Sequence, residues 1–138
     1  MKTANPSIEE GFTLLELLMV LSIVGLLTGF ALPLYQQSQQ RGQRALAKLA
    51  LLQAAHWMER AASTQGQYPA AANVPANLLA PMDLHYQLTV NSNAQSFLIT
   101  AIPSGGQASD ACGNLSLSHT GERFVDKATM SASQCWGR

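Results

Sequence analysis

The side chains that could perform chemistry in this sequence are few and scattered. His56, His85 and His119 are far apart and have no partners at the spacing of metal ligands, so we expect no zinc site. Asp110 and Asp126 flank loops, where a solvated surface position is a simpler interpretation than a cation site. The chain contains no Gly-x-Ser-x-Gly motif, phosphate-binding glycine loop or Cys-x-x-Cys pair. We therefore expect neither an enzyme nor a bound metal or cofactor.

Cys112 and Cys135 are the two cysteines of the chain, and both lie near its C-terminal end. Two cysteines in a small domain that follows an apolar segment indicate one disulfide in an oxidising compartment. Two reduced, buried thiols are the alternative. A disulfide closing this loop would stabilise the fold by about 3 kcal/mol.

Glu16 is the one ionisable side chain in an apolar run that extends from Phe12 to Leu34. The other polar residues of the run are Thr13, Ser22 and Thr28. As a helix rising about 1.5 Å per residue, the run approaches the ~30 Å thickness of a bilayer's hydrocarbon core. A carboxylate there costs about 2.5–3.5 kcal/mol on insertion scales, so Glu16 indicates a function.

Three interpretations of this run compete. It could be a plain anchor helix with Glu16 near the membrane interface. It could be a secretory signal peptide cut after Gly29-Phe30-Ala31, although Glu9 and Glu10 stand where such a peptide is basic. The third interpretation comes from the segment Gly11-Phe12-Thr13-Leu14-Leu15-Glu16, which resembles the processing site of type IV prepilins, and Pro33 falls where class a pilins carry a proline.

The prepilin resemblance implies that a dedicated peptidase cleaves between Gly11 and Phe12 and methylates the new Phe12 amine. The leader would then be residues 1–11 and the membrane or filament-core helix residues 12–35. Inside a filament that excludes water, the Glu16 carboxylate needs a partner, and the Phe12 amine of an adjacent subunit is suitable. Such a pair would set the axial register between subunits.

Gly25, Gly29 and Pro33 follow one another at a helical spacing of four. The glycines form a small-xxx-small pattern that lets helices approach closely, and Pro33 softens or kinks the helix. We expect these residues to take part in assembly. The alternative is that glycine and proline are simply common in membrane helices.

Charge gives conflicting indications of topology. Arg41, Arg44 and Lys48 follow the apolar run, whereas Lys2 is the only basic side chain before it, which favours a cytoplasmic C-terminal domain. The cysteines favour the opposite side, and we expect a periplasmic domain. With eight basic and eight acidic residues in total, the chain offers no general electrostatic case for nucleic acid or acidic lipids.

Residues 36–63 continue the helix, so we expect one helix of about 50 residues, roughly 75 Å long. At 100° per residue one broad face is apolar, and it comprises Leu46, Ala47, Ala50, Leu51, Ala54, Ala55, Trp57 and Met58. Leu49 and Leu52 lie on the opposite, polar face, where they would contact neighbouring subunits or be incidental exposed residues.

Residues 64–138 form the rest of the domain. Residues 64–83 predict a connecting loop in which Leu78 and Leu79 add a short helical turn. Alternation predicts strands over residues 84–90 and 96–102 joined by a turn, then a flexible loop over 104–110 and a second hairpin from 115–117 and 123–125. We expect an α+β fold: a three- or four-stranded antiparallel sheet on the helix, with Trp57 in the core between them.

The C-terminal residues carry a second resemblance. The order Cys112-Gly-Asn-Leu-Ser-Leu, then Gly121-Glu-Arg, then Cys135-Trp136 is similar to the C-terminal ends of minor type IV pilins of the PilE kind. The resemblance implies a structural subunit of a type IV pilus that supports twitching, adhesion or DNA uptake. It would be a single-pass inner-membrane protein before assembly and part of an extracellular pilus afterwards. Its partners would be other pilins, the prepilin peptidase and the inner-membrane assembly platform.

Two alternatives remain on the same scaffold. One is a type II secretion pseudopilin, against which the Cys112–Cys135 loop argues mildly. The other is a DNA-receptor pilin for natural transformation. Its nucleic-acid contacts would be Arg123, Lys127 and Arg138, with Trp136 for stacking, a thin basis for phosphate binding.

Overall fold

The computed structural model describes residues 11–80 and 85–137. Its helices are α1 (Leu14–Gln65), α2 (Ala76–Leu79) and α3 (Ala132–Trp136), and its strands are β1 (Tyr86–Ser92), β2 (Phe97–Pro103), β3 (Asn114–Ser118) and β4 (Arg123–Asp126). Single 3-10 turns lie at Ala71–Asn73 and Gly105–Gln107. Contacts divide the chain into two compact units, one ending at Gln37 and the other beginning at Ser38. The predicted α+β class is confirmed.

Helix α1 has 52 residues, close to the predicted length. Its first turn is capped by Thr13, whose Oγ1 accepts a hydrogen bond from the Glu16 backbone N–H at 3.2 Å. Thr13-x-x-Glu16 has the sequence form of a capping box, a local reason for the helix to begin here. An acidic side chain in the first turn also interacts favourably with the helix dipole.

In the second unit, the buried face of α1 is narrower than predicted. The buried side chains recur every three or four positions and are Ala47, Ala50, Leu51, Ala54 and Met58. Leu46 is 49% exposed, so its predicted inward position is wrong, whereas Trp57 is partly buried and packs against the core. At 100° per residue each lies about 80–100° from the centre of the buried face, at its border. Leu49 and Leu52 are exposed, as predicted.

The sheet is fully antiparallel, with strand order β1-β2-β3-β4. Its register places Leu88 opposite Ala101, and Ile99 opposite Leu117. The residues that alternate inward are buried with the helix face, and they include Tyr86, Leu88, Phe97, Ile99, Ala101, Leu115 and Leu117. Both predicted hairpins are confirmed, with strand ends shifted by one or two residues. Leu84, predicted to begin the first strand, lies outside the described residues.

The segments between the strands and after β4 contain more helical structure than the sequence predicted. The predicted helical turn is α2, in which Leu78 and Leu79 pack against the core. The segment predicted as a flexible loop contains the 3-10 turn Gly105–Gln107, whose Gln107 is buried. Helix α3 was not predicted; it begins with a reciprocal capping box between Ser131 and Gln134.

The predicted disulfide joins Cys112 to Cys135 with an S–S distance of 2.08 Å. Both cysteines are buried within the core cluster. The bond therefore ties the segment before β3 to helix α3.

Candidate functional sites

The apolar segment of α1 is exposed along its whole length. Every side chain from Gly11 to Gln39 is exposed, including Phe12 at 78%. An 18-residue window in this helix has a mean hydropathy of 2.3 and is not buried at all. Within the described part of the chain, α1 is the one helix long and apolar enough to cross a membrane.

The neutral polar side chains of this segment are satisfied by their own helix. Ser22 Oγ donates to the Leu18 carbonyl at 2.8 Å, and Thr28 Oγ1 donates to the Val24 carbonyl at 2.8 Å. Neither hydroxyl therefore needs an external partner in hydrocarbon. The Glu16 carboxylate differs, since none of the residues described gives it a hydrogen bond or ion pair.

Gly25 and Gly29 leave open space on the same segment. Apart from the adjacent residues and the nearby backbone of its own helix, no heavy atom lies within 4 Å of the position that a Cβ would take at either residue. Pro33 lies inside the continuous helix. The geometry is therefore compatible with close approach of another helix at the two glycines.

Arg123 and Trp136 come together in the second unit. The guanidinium carbon of Arg123 lies 5.4 Å from the centroid of the Trp136 ring, a cation–π distance. The Trp136 indole N–H donates to the Phe124 carbonyl at 3.0 Å. Lys127 is exposed just after β4, with a left-handed φ of 55°, and Arg138 lies outside the described residues. Of the four residues predicted to contact nucleic acid, the structure thus places Arg123 and Trp136 in contact with each other.

Lys48 belongs to the same neighbourhood and was missed from the sequence. Its Nζ donates to the Gly137 carbonyl at 2.9 Å, next to Trp136. Partial burial lowers the pKa of Lys48, and the positive charges of Arg44 and Arg123 lower it further. Arg44 and Lys48 are spaced i, i+4 on α1, the sequence signal that could have drawn attention to this side of the helix.

A buried polar network lies around Asp110. Arg44 Nε is 3.1 Å from Asp110 Oδ2, and the Tyr86 hydroxyl donates to the same oxygen at 3.1 Å. Gln107 Nε2 donates to the Tyr86 hydroxyl at 3.1 Å, and Arg44 Nη1 contacts Cys112 Sγ at 3.1 Å. The predicted solvated position of Asp110 is therefore wrong: a buried carboxylate needs a cationic partner, and α1 supplies one.

The environment of Tyr86 keeps its phenol protonated. Burial raises the pKa of Tyr86 to about 12, with the nearby Asp110 charge adding to the rise and the Gln107 hydrogen bond opposing it. A protonated phenol is the form that donates to Asp110. The network is thus structural, linking α1, β1 and the segment before Cys112.

The histidines do not form a site with one another. His56 and His119 line one groove of about 190 Å³ beside Leu52, and the His119 ring lies 6.2 Å from that of Phe97. His85 precedes β1. No group of three metal-ligating side chains occurs among residues 11–80 and 85–137. Asp126 is exposed, as expected, and accepts a hydrogen bond from Asn114 at 3.2 Å.

Two family models match the chain, one after the other. The model of the prokaryotic N-terminal methylation motif matches residues 7–32. The model described as type IV minor pilin ComP, DNA uptake sequence receptor, matches residues 33–116.

Curated relatives match over a short segment. Fimbrial protein EcpB of Eikenella corrodens is 49% identical over 35 residues, which are 25% of this chain and 22% of EcpB. The type IV major fimbrial protein FimA of Dichelobacter nodosus is 46% identical over 39 residues, which are 28% of this chain and 24% of FimA. The chain thus spans less than a quarter of the length of these relatives.

Solved structures match a larger part of this chain than the curated relatives do. A type IV pilin from Shewanella oneidensis is 31% identical with a TM-score of 0.52, over 67% of this chain and 98% of that one. The minor pilin PilV of Neisseria meningitidis shares the fold at 18% identity and a TM-score of 0.55, over 69% of this chain and 94% of PilV. Because the minor-pilin model covers more than half of the chain and the Shewanella pilin is covered almost completely, the protein belongs to the type IV minor pilin family.

Proposed function

We propose that the protein is a minor subunit built into a type IV pilus through the apolar half of α1. The observation that carries the proposal is the complete exposure of an 18-residue window with a mean hydropathy of 2.3. Such a surface is stable only in lipid or among other apolar helices. A pilin meets both conditions in turn, first as a membrane protein and then as part of a filament core.

Processing is the first step of this proposal. A prepilin peptidase would cleave between Gly11 and Phe12 and methylate the Phe12 amine, as the N-terminal methylation motif supports. The new N-terminus lies just before the capped first turn of α1. A positive amine at the positive end of a helix dipole is unfavourable there unless an anion offsets it.

Glu16 is proposed as that anion, supplied by a neighbouring subunit. Its carboxylate has no partner in the described part of its own chain, whereas the hydroxyls of Ser22 and Thr28 do. A pair between Glu16 and the Phe12 amine of the next subunit would satisfy both groups in a region without water. Close helix approach at Gly25 and Gly29, with Pro33 adjusting the helix, would complete the assembly surface.

The cellular setting follows from this chemistry. Before assembly the globular unit would lie in the periplasm, where the Cys112–Cys135 disulfide can form. The partners would be other pilins, the prepilin peptidase and the inner-membrane assembly platform. The subunit would support pilus biogenesis and, through the pilus, twitching, adhesion or DNA uptake. A type II secretion pseudopilin is less favoured because the matching family model is that of a minor pilin.

Mass spectrometry of the protein recovered from sheared pili tests this function. The expected N-terminal peptide begins at Phe12 and carries one added methyl group. A peptide that begins after Ala31 would support a signal peptide, and an intact Met1 would support a plain anchor. Either result would contradict incorporation as a processed pilin.

DNA reception is a second candidate, favoured by two observations. The family model that matches residues 33–116 describes a DNA uptake sequence receptor. In addition, Lys48 and Arg123 concentrate positive charge on a chain whose net charge is zero. The test is the salt dependence of duplex DNA affinity, measured on the full chain in a neutral detergent. Absence of binding at low salt would remove this candidate and leave the structural subunit.

A further inference from the structure

We infer that Lys48 and Arg123 form a binding site for a backbone phosphate of DNA, in which Trp136 positions Arg123 instead of stacking on a base. The inference rests on the DNA-receptor candidate proposed above. It names the part of DNA that this face contacts and assigns a role to each of the three side chains.

Lys48 and Arg123 contact neighbouring residues, Gly137 and Trp136, and neither has a carboxylate partner among the described residues. Arg44–Asp110 is the one ion pair found among the residues that the structure describes, so neither Lys48 nor Arg123 has an acidic group within 4 Å there. Their polar and aromatic contacts are neutral: the Gly137 carbonyl for Lys48 and the Trp136 ring for Arg123. Two such cations repel each other, and an anion that binds both relieves the repulsion.

The charge balance around this pair supports an anion as the ligand. The positive charge of Arg123 contributes to the lowered pKa of Lys48, so the two groups interact electrostatically. Of the nearby acids, Glu59 lines a groove with Arg123 but accepts a hydrogen bond from the Tyr68 hydroxyl at 2.9 Å. Glu122 accepts one from Thr120 at 3.2 Å. Both carboxylates keep their negative charge, but neither forms an ion pair with Arg123.

The Trp136 ring is already used by the protein. One of its faces is covered by Arg123, its N–H is bonded to the Phe124 carbonyl, and its side chain packs against the core. The disulfide at Cys135 and the capping box of α3 fix the backbone on which it stands. A base could stack on the covered face only by displacing Arg123. The prediction that Trp136 stacks on bases is therefore replaced by a positioning role.

The surface beside Arg123 has room for a phosphate. Arg123 and Trp136 border a shallow depression of about 350 Å³ with Ser133 and Gly137. Its walls come from β4 and from α3 with the residue that follows, and they carry no acidic side chain. Phosphate contacts of this kind position a protein on DNA but do not distinguish sequences. Any sequence preference must then arise at other residues.

The test measures affinity for a fluorescent DNA duplex of arbitrary sequence, and for one of its single strands, across a salt series. It uses the full chain in neutral detergent and the variants Arg123→Gln, Trp136→Phe and Trp136→Ala. The double variant of Arg123→Gln with Trp136→Ala completes a mutant cycle. Arg60→Gln is the control, because it removes the same charge from an exposed arginine elsewhere on α1.

We expect Arg123→Gln to weaken duplex binding about three- to tenfold and to reduce the slope of log affinity against log salt by about 0.9. Lys48→Gln should act in the same direction. Trp136→Phe should stay within about twofold of the parent, because a ring still supports the guanidinium. Trp136→Ala should weaken binding in the parent but add nothing to Arg123→Gln, since coupled residues are not additive.

Several results would overturn the inference and separate it from the function on which it rests. A loss with Trp136→Ala that persists in the Arg123→Gln background, or that affects only the single strand, would show base stacking. An equal loss with Arg60→Gln would show diffuse attraction without a site. DNA binding that none of these variants alters would refute this site alone, whereas no DNA binding by the parent would refute the receptor function as well. Binding to phosphatidylglycerol vesicles without DNA binding would identify a lipid surface instead.

Discussion

Gly113 provides the sharpest test of the packing around the disulfide. It lies between Cys112 and β3, is buried, and has a left-handed φ of 51°. A Cβ placed there would overlap the Asp126 carbonyl oxygen and lie 2.7 Å from that of Lys127. Both neighbours are backbone atoms at the end of β4, so they cannot move aside by rotating a side chain. Gly113→Ala must therefore strain its own backbone and also displace the strand.

Gly121 separates these two costs. It has a similar left-handed φ of 80°, but no heavy atom outside its two chain neighbours lies within 4 Å of its Cβ position. Gly121→Ala should cost only the conformational penalty, about 1 kcal/mol. Gly113→Ala adds overpacking of about 1–3 kcal/mol, for a total of roughly 2–4 kcal/mol. At about 4–8 °C per kcal/mol, Tm should fall by roughly 10–30 °C for Gly113→Ala and about 4–8 °C for Gly121→Ala.

Thermal unfolding of the full chain in detergent measures both values. Intrinsic fluorescence is the suitable signal, because Trp57 and Trp136 both lie in the second unit. A thiol assay under denaturing conditions must show that the disulfide has formed in both variants. Equal Tm losses would refute the reasoning, since they would mean that the end of β4 does not resist a side chain at position 113.

Three further predictions concern processing, assembly and the disulfide. Gly11→Val should leave an uncleaved precursor in the membrane. The control variant Gly42→Val should be processed normally. A mature product of unchanged mass from Gly11→Val would contradict cleavage at this site. Glu16→Leu should be inserted and cleaved but enter filaments poorly, measured as its share of sheared pili. Ser22→Leu is the control, because the Ser22 hydroxyl is hydrogen-bonded within its own helix. Normal incorporation of Glu16→Leu would exclude an assembly contact at Glu16. Cys112→Ser should lower the free energy of unfolding by about 3 kcal/mol, judged from a sequence separation of 23; two titratable thiols in the unreduced parent protein would exclude the bond.

The sheet could be predicted from the sequence because its signals are local. Period-two alternation fixes which residues face inward, and the turn residues fix where each hairpin reverses. Tyr86, Leu88 and Val90 show this pattern in β1, with the first two fully buried and the third partly. A single disulfide was also predictable, because a chain with two cysteines allows only one pairing.

The burial of Asp110 could not be predicted from local sequence signals. It follows a run of glycine, serine and alanine that is typical of a solvated loop. Its burial depends on Arg44, which reaches it from a distant part of the chain. Helix α3 was missed for a related reason: five residues are too few to show a helical period, and a capping box with a disulfide holds them instead.

The border of the buried face of α1 was also not predictable from the sequence. Alanine is frequent along α1, so hydrophobicity alone does not define the border of the buried stripe. Ala47, Ala50 and Ala54 are buried in the same core cluster as the sheet residues, whereas Leu46 is exposed and Trp57 is only partly buried. Leu46 and Trp57 lie at the angular border of the buried face, where periodicity alone does not decide burial and packing against the sheet does.

The Arg44–Asp110 pair also explains how a neutral chain presents positive charge on one side. Asp110 offsets the charge of Arg44 in the interior, one helical turn from Lys48, whose own charge has no such partner among the described residues. After the proposed cleavage, which removes Lys2, Glu9 and Glu10, the chain would carry a net charge of only +1, so net charge contributes little to steering DNA toward it. Affinity must then come from contacts made within about one Debye length, ~8 Å at physiological salt. Changing the charge of Lys48 or Arg123 should therefore alter DNA binding far more than a comparable change elsewhere on the surface.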